Sequence, residues 1–277
     1  MRCIFCKRDS ASSRSVEHIV PESLGNTKNV LPPGVVCDSC NNYFASKVEQ
    51  PVLSSGAFKA LRFHQAVPSK KNRIPPIGAV VWPDAAGEIF RSVMPGPGGI
   101  KELSVPPNMF ERILRDGEEQ RQSRIFFPAT GDMPSDVLMS RFLAKCAVEA
   151  LAQRFILGTV PLDEALINNQ QIDPIRNHAR RGEPRNWLFK RRTIYDANRK
   201  IEEDGKPVQT VYEYDFLFTT PERISEDGAV LSELYFVLAI FGVEFSINMG
   251  GPEMDGYEAW LKGHNDASPL YLKNTKP

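Results

Sequence analysis

The sequence contains no apolar run near the roughly 20 residues that a membrane-spanning helix requires. Its start, MRCIFCKRDS, lacks the apolar core of a secretory signal. Cysteine is scarce as well, with five among 277 residues. Four of the five stand in pairs of the kind that bind metals, so disulfide bonds are the less favoured use. These absences predict a cytoplasmic protein without a membrane partner.

Net charge is also absent, because 34 Lys and Arg balance 34 Asp and Glu. The charges are nevertheless segregated: residues 1–75 hold 11 basic against 5 acidic side chains, and residues 176–200 hold 9 against 2. Clustered positive charge is what a phosphate backbone requires, so overall neutrality does not exclude a nucleic-acid partner. The candidate contacts are Lys70, Lys71, Arg73, Lys190, Arg191 and Arg192. Ordinary solvated charge is the competing interpretation.

Length and a hydrophobic content of 42% allow one large or two modest domains with apolar cores. We predict an α+β protein in three parts. Residues 1–55 form a cysteine-containing module, residues 56–76 a basic, proline-rich connector, and residues 77–277 a larger α+β domain with an antiparallel sheet. The larger domain is expected to recognise substrate, to form a homodimer or to bind a regulatory ligand or partner.

Local patterns predict the main elements. A helix is expected after Asn41, ended by Pro51, and a long helix over 135–157, capped by Ser135 and ended by Gly158. Cys146 falls inside the long helix, where a small buried apolar side chain is expected. Strands are predicted at 77–83, 88–94, 101–105 and 211–220, with one or two buried strands in 234–251 and a loop at 95–99.

The most informative feature is a pair of Cys-x2-Cys motifs that enclose the dyad Glu17-His18. Two residues between cysteines form a tight turn that aims both sulfurs at one ion, so two such turns can hold a tetrahedral zinc. The predicted zinc ligands are Cys3, Cys6, Cys37 and Cys40. A loop fixed by metal at both ends is a suitable place for a carboxylate beside an imidazole.

This module resembles the zinc-stabilised HNH endonucleases, whose fold is the ββα-metal motif. The resemblance covers about the first 50 residues. It is carried by C-I-F-C at 3–6, E-H-I-V-P at 17–21, Gly25, Asn29, and C-D-S-C-N at 37–41. It implies a metal-dependent endonuclease that hydrolyses phosphodiester bonds of nucleic acid, with DNA as the expected substrate and a 5′ phosphate on the product. By analogy, a small nuclease with an added domain suggests prokaryotic defence or mobile-element biology.

The resemblance also implies residue roles. His18 is the general base, because a neutral imidazole can accept a proton from water. Glu17 and Asn41 would bind the catalytic cation, and oxygen ligands favour Mg²⁺ or Mn²⁺ over a second zinc. Asn29 corresponds to the central asparagine that orients the histidine-bearing loop, with Asn26 as its competitor.

Several alternatives remain open at this point. Asn42 or a water can share the cation with the neutral amide of Asn41, and Glu49 is either a further oxygen ligand or a surface carboxylate, the latter being favoured. The other histidines, at 64, 178 and 264, have no comparable setting and are expected at the surface or in satisfied positions. Two rival functions are a non-catalytic zinc ribbon that binds nucleic acid and a regulatory protein that acts through the larger domain.

Overall fold

The computed structural model describes residues 1–69, 71–82, 85–91, 100–104, 107–118, 124–158, 161–203, 205–219 and 232–271. In chain order its helices and strands are β1 (Glu17–His18), β2 (Val30–Leu31), α1 (Asp38–Phe44), α2 (Gln50–Leu53), α3 (Gly56–His64), β3 (Ile77–Trp82), β4 (Ala85–Arg91), β5 (Ile100–Ser104), α4 (Pro107–Glu118), β6 (Arg124–Phe126), α5 (Asp136–Leu157), α6 (Asp173–Arg181), β7 (Phe189–Thr193), β8 (Lys200–Glu203), β9 (Lys206–Gln209), β10 (Tyr212–Thr219), β11 (Glu233–Ile240), β12 (Val243–Asn248) and α7 (Asp255–Gly263). The predicted α+β class is confirmed, and every described strand pair is antiparallel.

The chain forms two compact units that do not follow the predicted three-part division. One unit contains residues 1–21, 26–52 and 135–277, and the other contains residues 22–25 and 53–134. The cysteine module therefore shares a unit with the second half of the chain. Part of the segment predicted as a connector, from Gly56 to His64, is the helix α3.

In the first unit, the sheet has the strand order β10-β11-β12-β7, and β11 is almost completely buried. Helix α7 closes one part of this sheet through a cluster that includes Tyr235, Tyr257 and Leu261. Helix α5 packs against α6, β11 and β12. Its side chains are buried on all faces over most of its length, as expected of a central helix.

The caps predicted for α5 are confirmed. The Ser135 side chain accepts a hydrogen bond from the Leu138 amide at 3.4 Å, and the helix ends at Gly158. Cys146 is fully buried within α5, as its position in the sequence predicts. The apolar segment 234–251 forms two strands, β11 and β12, joined at Phe241 and Gly242, which both adopt positive φ.

The helix that follows the second cysteine pair does not end at Pro51, as predicted, but at Leu53. A π-helical turn over Ala45–Glu49 separates α1 from α2. A proline inside a helix needs room around the carbonyl of the preceding turn, and the wider π turn provides it. The helix thereby extends beyond Pro51 to Val52, whose side chain is fully buried.

In the second unit, the sheet has the order β5-β4-β3-β6, and α3 packs against β3. Its core contains Ala60, Phe63, Ile74, Ile77 and Ala79. The strands predicted at 77–83, 88–94 and 101–105 correspond to β3, β4 and β5, whereas the loop predicted at 95–99 lies outside the described residues. No helix in the described parts of the chain is long and apolar enough to cross a membrane.

His178 was predicted to lie either at the surface or in a position where its hydrogen bonds are satisfied. It lies in α6, buried, and both of its ring nitrogens have hydrogen-bond partners. Its Nδ1 lies 2.7 Å from the Pro184 carbonyl oxygen and its Nε2 lies 2.9 Å from Ser140 Oγ. Burial lowers the pKa of His178 below its usual range, with Arg141 adding to the effect. Because the folded state binds the proton more weakly, the neutral ring stabilises the fold above the unfolded-state pKa of about 6.5.

We therefore expect the free energy of unfolding to fall as the pH drops from about 6.5 toward the lowered folded-state pKa of His178. Chemical denaturation at several pH values, compared with His178→Gln, checks this. The variant is expected to be less stable at pH 7.5 but to lose less stability on acidification. If the free energy of unfolding changes equally with pH in the two proteins, His178 is not the source of the pH dependence.

Candidate nuclease site

The four predicted zinc ligands lie together. The sulfurs of Cys3, Cys6, Cys37 and Cys40 are all within 4.8 Å of one another. The Cys6 and Cys37 sulfurs are 3.6 Å apart, close to the roughly 3.8 Å expected between two ligands at the Zn–S distance of a tetrahedral site. Three of the cysteines are buried and all are free of disulfides. The donor set and spacing fit a structural zinc ion.

Hydrogen bonding favours the anionic form of Cys3 within this cluster. The side chain of Cys40 lowers the pKa of Cys3 to about 4, and backbone N–H donors act in the same direction. The same contact raises the pKa of Cys40. The Cys37 amide donates to the Cys3 sulfur at 3.3 Å. A divalent cation replaces shared protons in such a cluster, because thiolates are the form of cysteine that binds metals.

The ββα arrangement predicted for the module is present. Strand β1 pairs with β2, with Glu17 opposite Leu31 and His18 opposite Val30, and the helical segment from α1 to α2 follows the second cysteine pair. Phe5 and Phe44 pack with their ring centroids 4.4 Å apart, which joins the first cysteine turn to α1. The cysteine cluster and the paired strands together fix the position of the dyad.

The ring of His18 is oriented by a backbone carbonyl. Its Nδ1 lies 3.1 Å from the Asn26 oxygen. A carbonyl oxygen can only accept a hydrogen bond, so Nδ1 carries the proton, and the lone pair of the neutral ring is on Nε2. This tautomer is the one that a base acting through Nε2 requires.

Asn26, rather than Asn29, organises the loop between β1 and β2. The fully buried Asn26 side chain donates to the Val20 and Asn29 carbonyls, at 2.7 and 2.8 Å, and accepts from the Lys28 and Asn29 amides. The contacts expected of the central asparagine are thus made by the competing residue. The Asn29 side chain instead donates to the Tyr212 hydroxyl at 3.0 Å.

Tyr212, at the start of β10, connects this loop to the sheet of the same unit. Its hydroxyl donates to Asn26 Oδ1 at 2.8 Å while it accepts from Asn29. Tyr212 follows these residues by more than 180 positions. Sequence spacing alone therefore carries no signal for its participation.

We expect Tyr212→Phe to lower the free energy of unfolding by about 1–2 kcal/mol, because two hydrogen bonds are lost and Asn29 loses its acceptor. Amide hydrogen exchange at Asn29 and Val30 should become faster. Tyr214→Phe is a matched control, since its hydroxyl contacts Gln153 at 2.9 Å, away from the loop. Unchanged exchange at the loop in Tyr212→Phe would show that this contact does not hold it.

Glu17 is not an open surface carboxylate. Its side chain is 6% exposed, and its Oε1 lies 2.6 Å from Nζ of Lys145, on α5. Burial raises the pKa of Glu17, and the ammonium of Lys145 opposes this rise. Glu17 is thus held by a residue that sequence analysis did not find, because 128 positions separate the two.

Glu49 also contacts Lys145, with 2.5 Å between Oε1 and Nζ, and its side chain is 16% exposed. The favoured prediction of a surface carboxylate is therefore wrong for Glu49. The π turn that ends at Glu49 lies in contact with α5. Glu149 on α5 is the third carboxylate at the same ammonium, at 2.9 Å.

Asn41, the second predicted ligand of a catalytic cation, is half-buried on α1. Its amide nitrogen donates to the Val16 carbonyl at 3.3 Å, so its Oδ1 is the end available to a cation. Within the described residues, the four cysteines are the single cluster of three or more His, Cys, Asp or Glu side chains that can hold a metal. Glu17 and Asn41 each carry an oxygen of the hard type that Mg²⁺ prefers.

The predicted nucleic-acid contacts are spread over both units. Lys190 pairs with Glu258 at 2.6 Å, and Arg192 binds Glu244 at 2.5 Å and the Asp266 carbonyl. The guanidinium of Arg192 is therefore engaged within the fold. Arg191, Lys71 and Arg73 are exposed, and Lys70 lies outside the described residues.

Comparison with known proteins identifies the module. The family model for HNH endonucleases matches residues 3–55. No curated protein and no solved structure matches the chain. The resemblance based on the cysteine pairs and the Glu17-His18 dyad is thereby confirmed for this part of the sequence.

Proposed function

Residues 3–55 match the HNH endonuclease family, and from that premise we propose that the chain is an endonuclease that hydrolyses phosphodiester bonds, with DNA as the expected substrate. The observation that carries the proposal is the 3.1 Å contact between His18 Nδ1 and the Asn26 carbonyl oxygen. Because a carbonyl oxygen only accepts hydrogen bonds, this contact favours the neutral tautomer with the proton on Nδ1 and the basic lone pair on Nε2. The non-catalytic rival needs no such orientation of the ring.

Hydrolysis begins when His18 Nε2 accepts a proton from a water molecule that attacks phosphorus in line with the departing 3′ oxygen. The 3′ oxygen leaves with the electron pair of the broken P–O bond and takes a proton from solvent, so the products carry a 5′ phosphate and a 3′ hydroxyl. A Mg²⁺ or Mn²⁺ ion bound by Glu17 and Asn41 would supply positive charge to the phosphate and the leaving oxygen. The cysteine-bound zinc has no part in this chemistry, since its four sulfur ligands close the site.

In this proposal Asn26 takes the orienting role that the sequence suggested for Asn29. The Asn26 carbonyl fixes the ring, while its side chain fixes the loop that supplies the carbonyl. Asn29 supports the loop indirectly: its side chain donates to the Tyr212 hydroxyl, which in turn donates to the Asn26 side chain. Exposed Arg191, Lys71 and Arg73 are the proposed phosphate contacts among the predicted basic residues.

The experiment that tests this function uses the purified, zinc-loaded chain of 277 residues with supercoiled plasmid, single-stranded DNA or RNA. Each substrate is incubated with Mg²⁺, with Mn²⁺ or without added divalent ion, and the product ends are mapped. We expect nicking that requires the added ion and leaves 5′ phosphates. Binding of nucleic acid without cleavage under all conditions would instead support the non-catalytic zinc-stabilised binder.

A further inference from the structure

Lys145 is the centre of a buried ion cluster that joins the long helix α5 to the strand that carries the dyad. Its side chain is completely buried. The ammonium lies 2.6 Å from Glu17 Oε1, 2.8 Å from the His18 carbonyl oxygen, 2.5 Å from Glu49 Oε1 and 2.9 Å from Glu149 Oε2. One side chain therefore contacts both members of the dyad.

These contacts define the geometry of the dyad more strictly than packing alone. An ammonium offers three N–H donors, so four oxygens at such distances compete for them. A lysine is almost never fully buried unless it is paired, because an uncompensated charge is strongly disfavoured in the interior. Lys145 must therefore keep its carboxylate partners near, which fixes Glu17 relative to the main chain of His18.

The carboxyl group that α5 contributes to the cluster is fully buried, whereas the two carboxyl groups from outside α5 are slightly exposed to solvent. Glu149 has no exposed side-chain surface, whereas Glu17 is 6% and Glu49 is 16% exposed. Oε2 of Glu149 contacts the ammonium, whereas Oε1 has no hydrogen-bond partner among the residues that the structure describes. Three carboxyl groups face one ammonium, and those of Glu17 and Glu49 keep some exposed surface. A divalent cation that approaches Glu17 therefore meets a carboxylate that is already held in place.

We propose that Lys145 is a positioning residue of the nuclease site, which holds the cation ligand Glu17 and the main chain of the base His18 in a fixed arrangement. This inference rests on the proposed function. It gives α5 a part in the reaction although α5 lies outside residues 3–55. The opposite possibility is that the ammonium competes with the cation for Glu17, so that its removal strengthens cation binding.

The test compares Lys145→Met, which keeps the length of the side chain without its charge, with Glu149→Gln. The control changes the same cluster but leaves the contacts of Lys145 with Glu17 and His18. If Lys145→Met does not fold, Lys145→Met/Glu149→Met carries the test, because an apolar pair can replace a buried ion pair. Zinc content and circular dichroism establish that the variants are folded.

Three quantities are measured: kcat and KM for plasmid nicking at saturating Mn²⁺, and Mn²⁺ binding by electron paramagnetic resonance in a His18→Ala background. We expect loss of Lys145 to reduce kcat and weaken Mn²⁺ binding, each by about 10- to 100-fold, as for groups that orient metal ligands. KM for DNA should stay within about twofold, and Glu149→Gln should stay close to the parent. Unchanged kcat, or equal or tighter Mn²⁺ binding, in a folded Lys145→Met protein overturns the inference.

Failure of the proposed function has a different signature. In that case the parent protein cleaves no substrate, and positioning is judged from amide exchange at Ile19, whose N–H donates to the Asn29 carbonyl at 3.2 Å, and from Mn²⁺ binding. Faster exchange and weaker Mn²⁺ binding in Lys145→Met, but not in Glu149→Gln, support positioning without catalysis. Unchanged exchange and binding remove Lys145 from the site whether or not the parent cleaves.

Discussion

Cys40→Ser is expected to lose the bound zinc, to unfold the module of residues 3–55 and to abolish nicking. Serine is a poor replacement for a thiolate, and the other three sulfurs cannot complete a tetrahedral site. Zinc binding contributes about 10–16 kcal/mol to the folding of isolated zinc-finger peptides, which sets the scale of the effect. The measurements are zinc per chain by mass spectrometry, thermal unfolding and plasmid nicking.

Helix α6 also supports the first cysteine turn, so the loss of zinc should extend beyond the module. Buried Arg176 donates to the Ile4 carbonyl at 2.5 Å, and Lys7 pairs with Asp173 at 2.7 Å. We expect amides of α6 to exchange faster in Cys40→Ser as well. If residues outside the module remain as protected as in the parent, the two parts fold independently.

Cys146→Ala provides the matched control, since Cys146 is the one cysteine outside the zinc cluster. It is fully buried in α5, and its replacement removes one sulfur atom from the core. We expect one zinc per chain and a loss of stability of about 1 kcal/mol. A full complement of zinc in Cys40→Ser would contradict the assignment of that residue as a ligand.

His18→Ala is expected to reduce the nicking rate at saturating Mn²⁺ by about 10²- to 10⁴-fold, the usual contribution of a positioned general base. Zinc content and DNA binding should be unchanged, because His18 belongs to neither interaction in the proposed mechanism. His264→Ala is the control: this exposed histidine stacks on Trp260, with ring centroids 4.1 Å apart, in α7 and the turn that follows it.

The comparison of these two variants decides whether His18 takes part in the reaction or only stabilises the fold. A loss of rate in His18→Ala with full zinc content assigns the loss to the imidazole. Equal nicking by His18→Ala and the parent protein would remove His18 from catalysis. Equal losses in both histidine variants would show that the assay reports general destabilisation.

Features encoded by neighbouring residues could be predicted from the sequence. The two Cys-x2-Cys pairs come together because each is a local turn, and their separation suits a loop closed by one ion. The bounds of α5 followed from Ser135 and Gly158, which act within one helical turn. His18 was identifiable because its acidic neighbour and the following I-V-P are contiguous.

Features that depend on distant residues could not be predicted. Lys145 lies 127 positions after His18, and Tyr212 lies 186 positions after Asn26, yet both bind the β1–β2 region. No periodicity or spacing links such pairs. The choice of Asn29 over Asn26 failed to anticipate the geometry for a related reason, because either residue is compatible with the motif and only the folded loop shows which amide is buried.

Cleavage of DNA in ¹⁸O-labelled water, by the parent protein and His18→Ala in parallel, tests the central claim most directly. Hydrolysis by a water molecule that loses its proton to His18 predicts one ¹⁸O in the new 5′ phosphate, a 3′ hydroxyl, and a rate that falls at least 10²-fold in the variant. Absence of cleavage, label on a 3′ phosphate, or equal rates in the two proteins would contradict it.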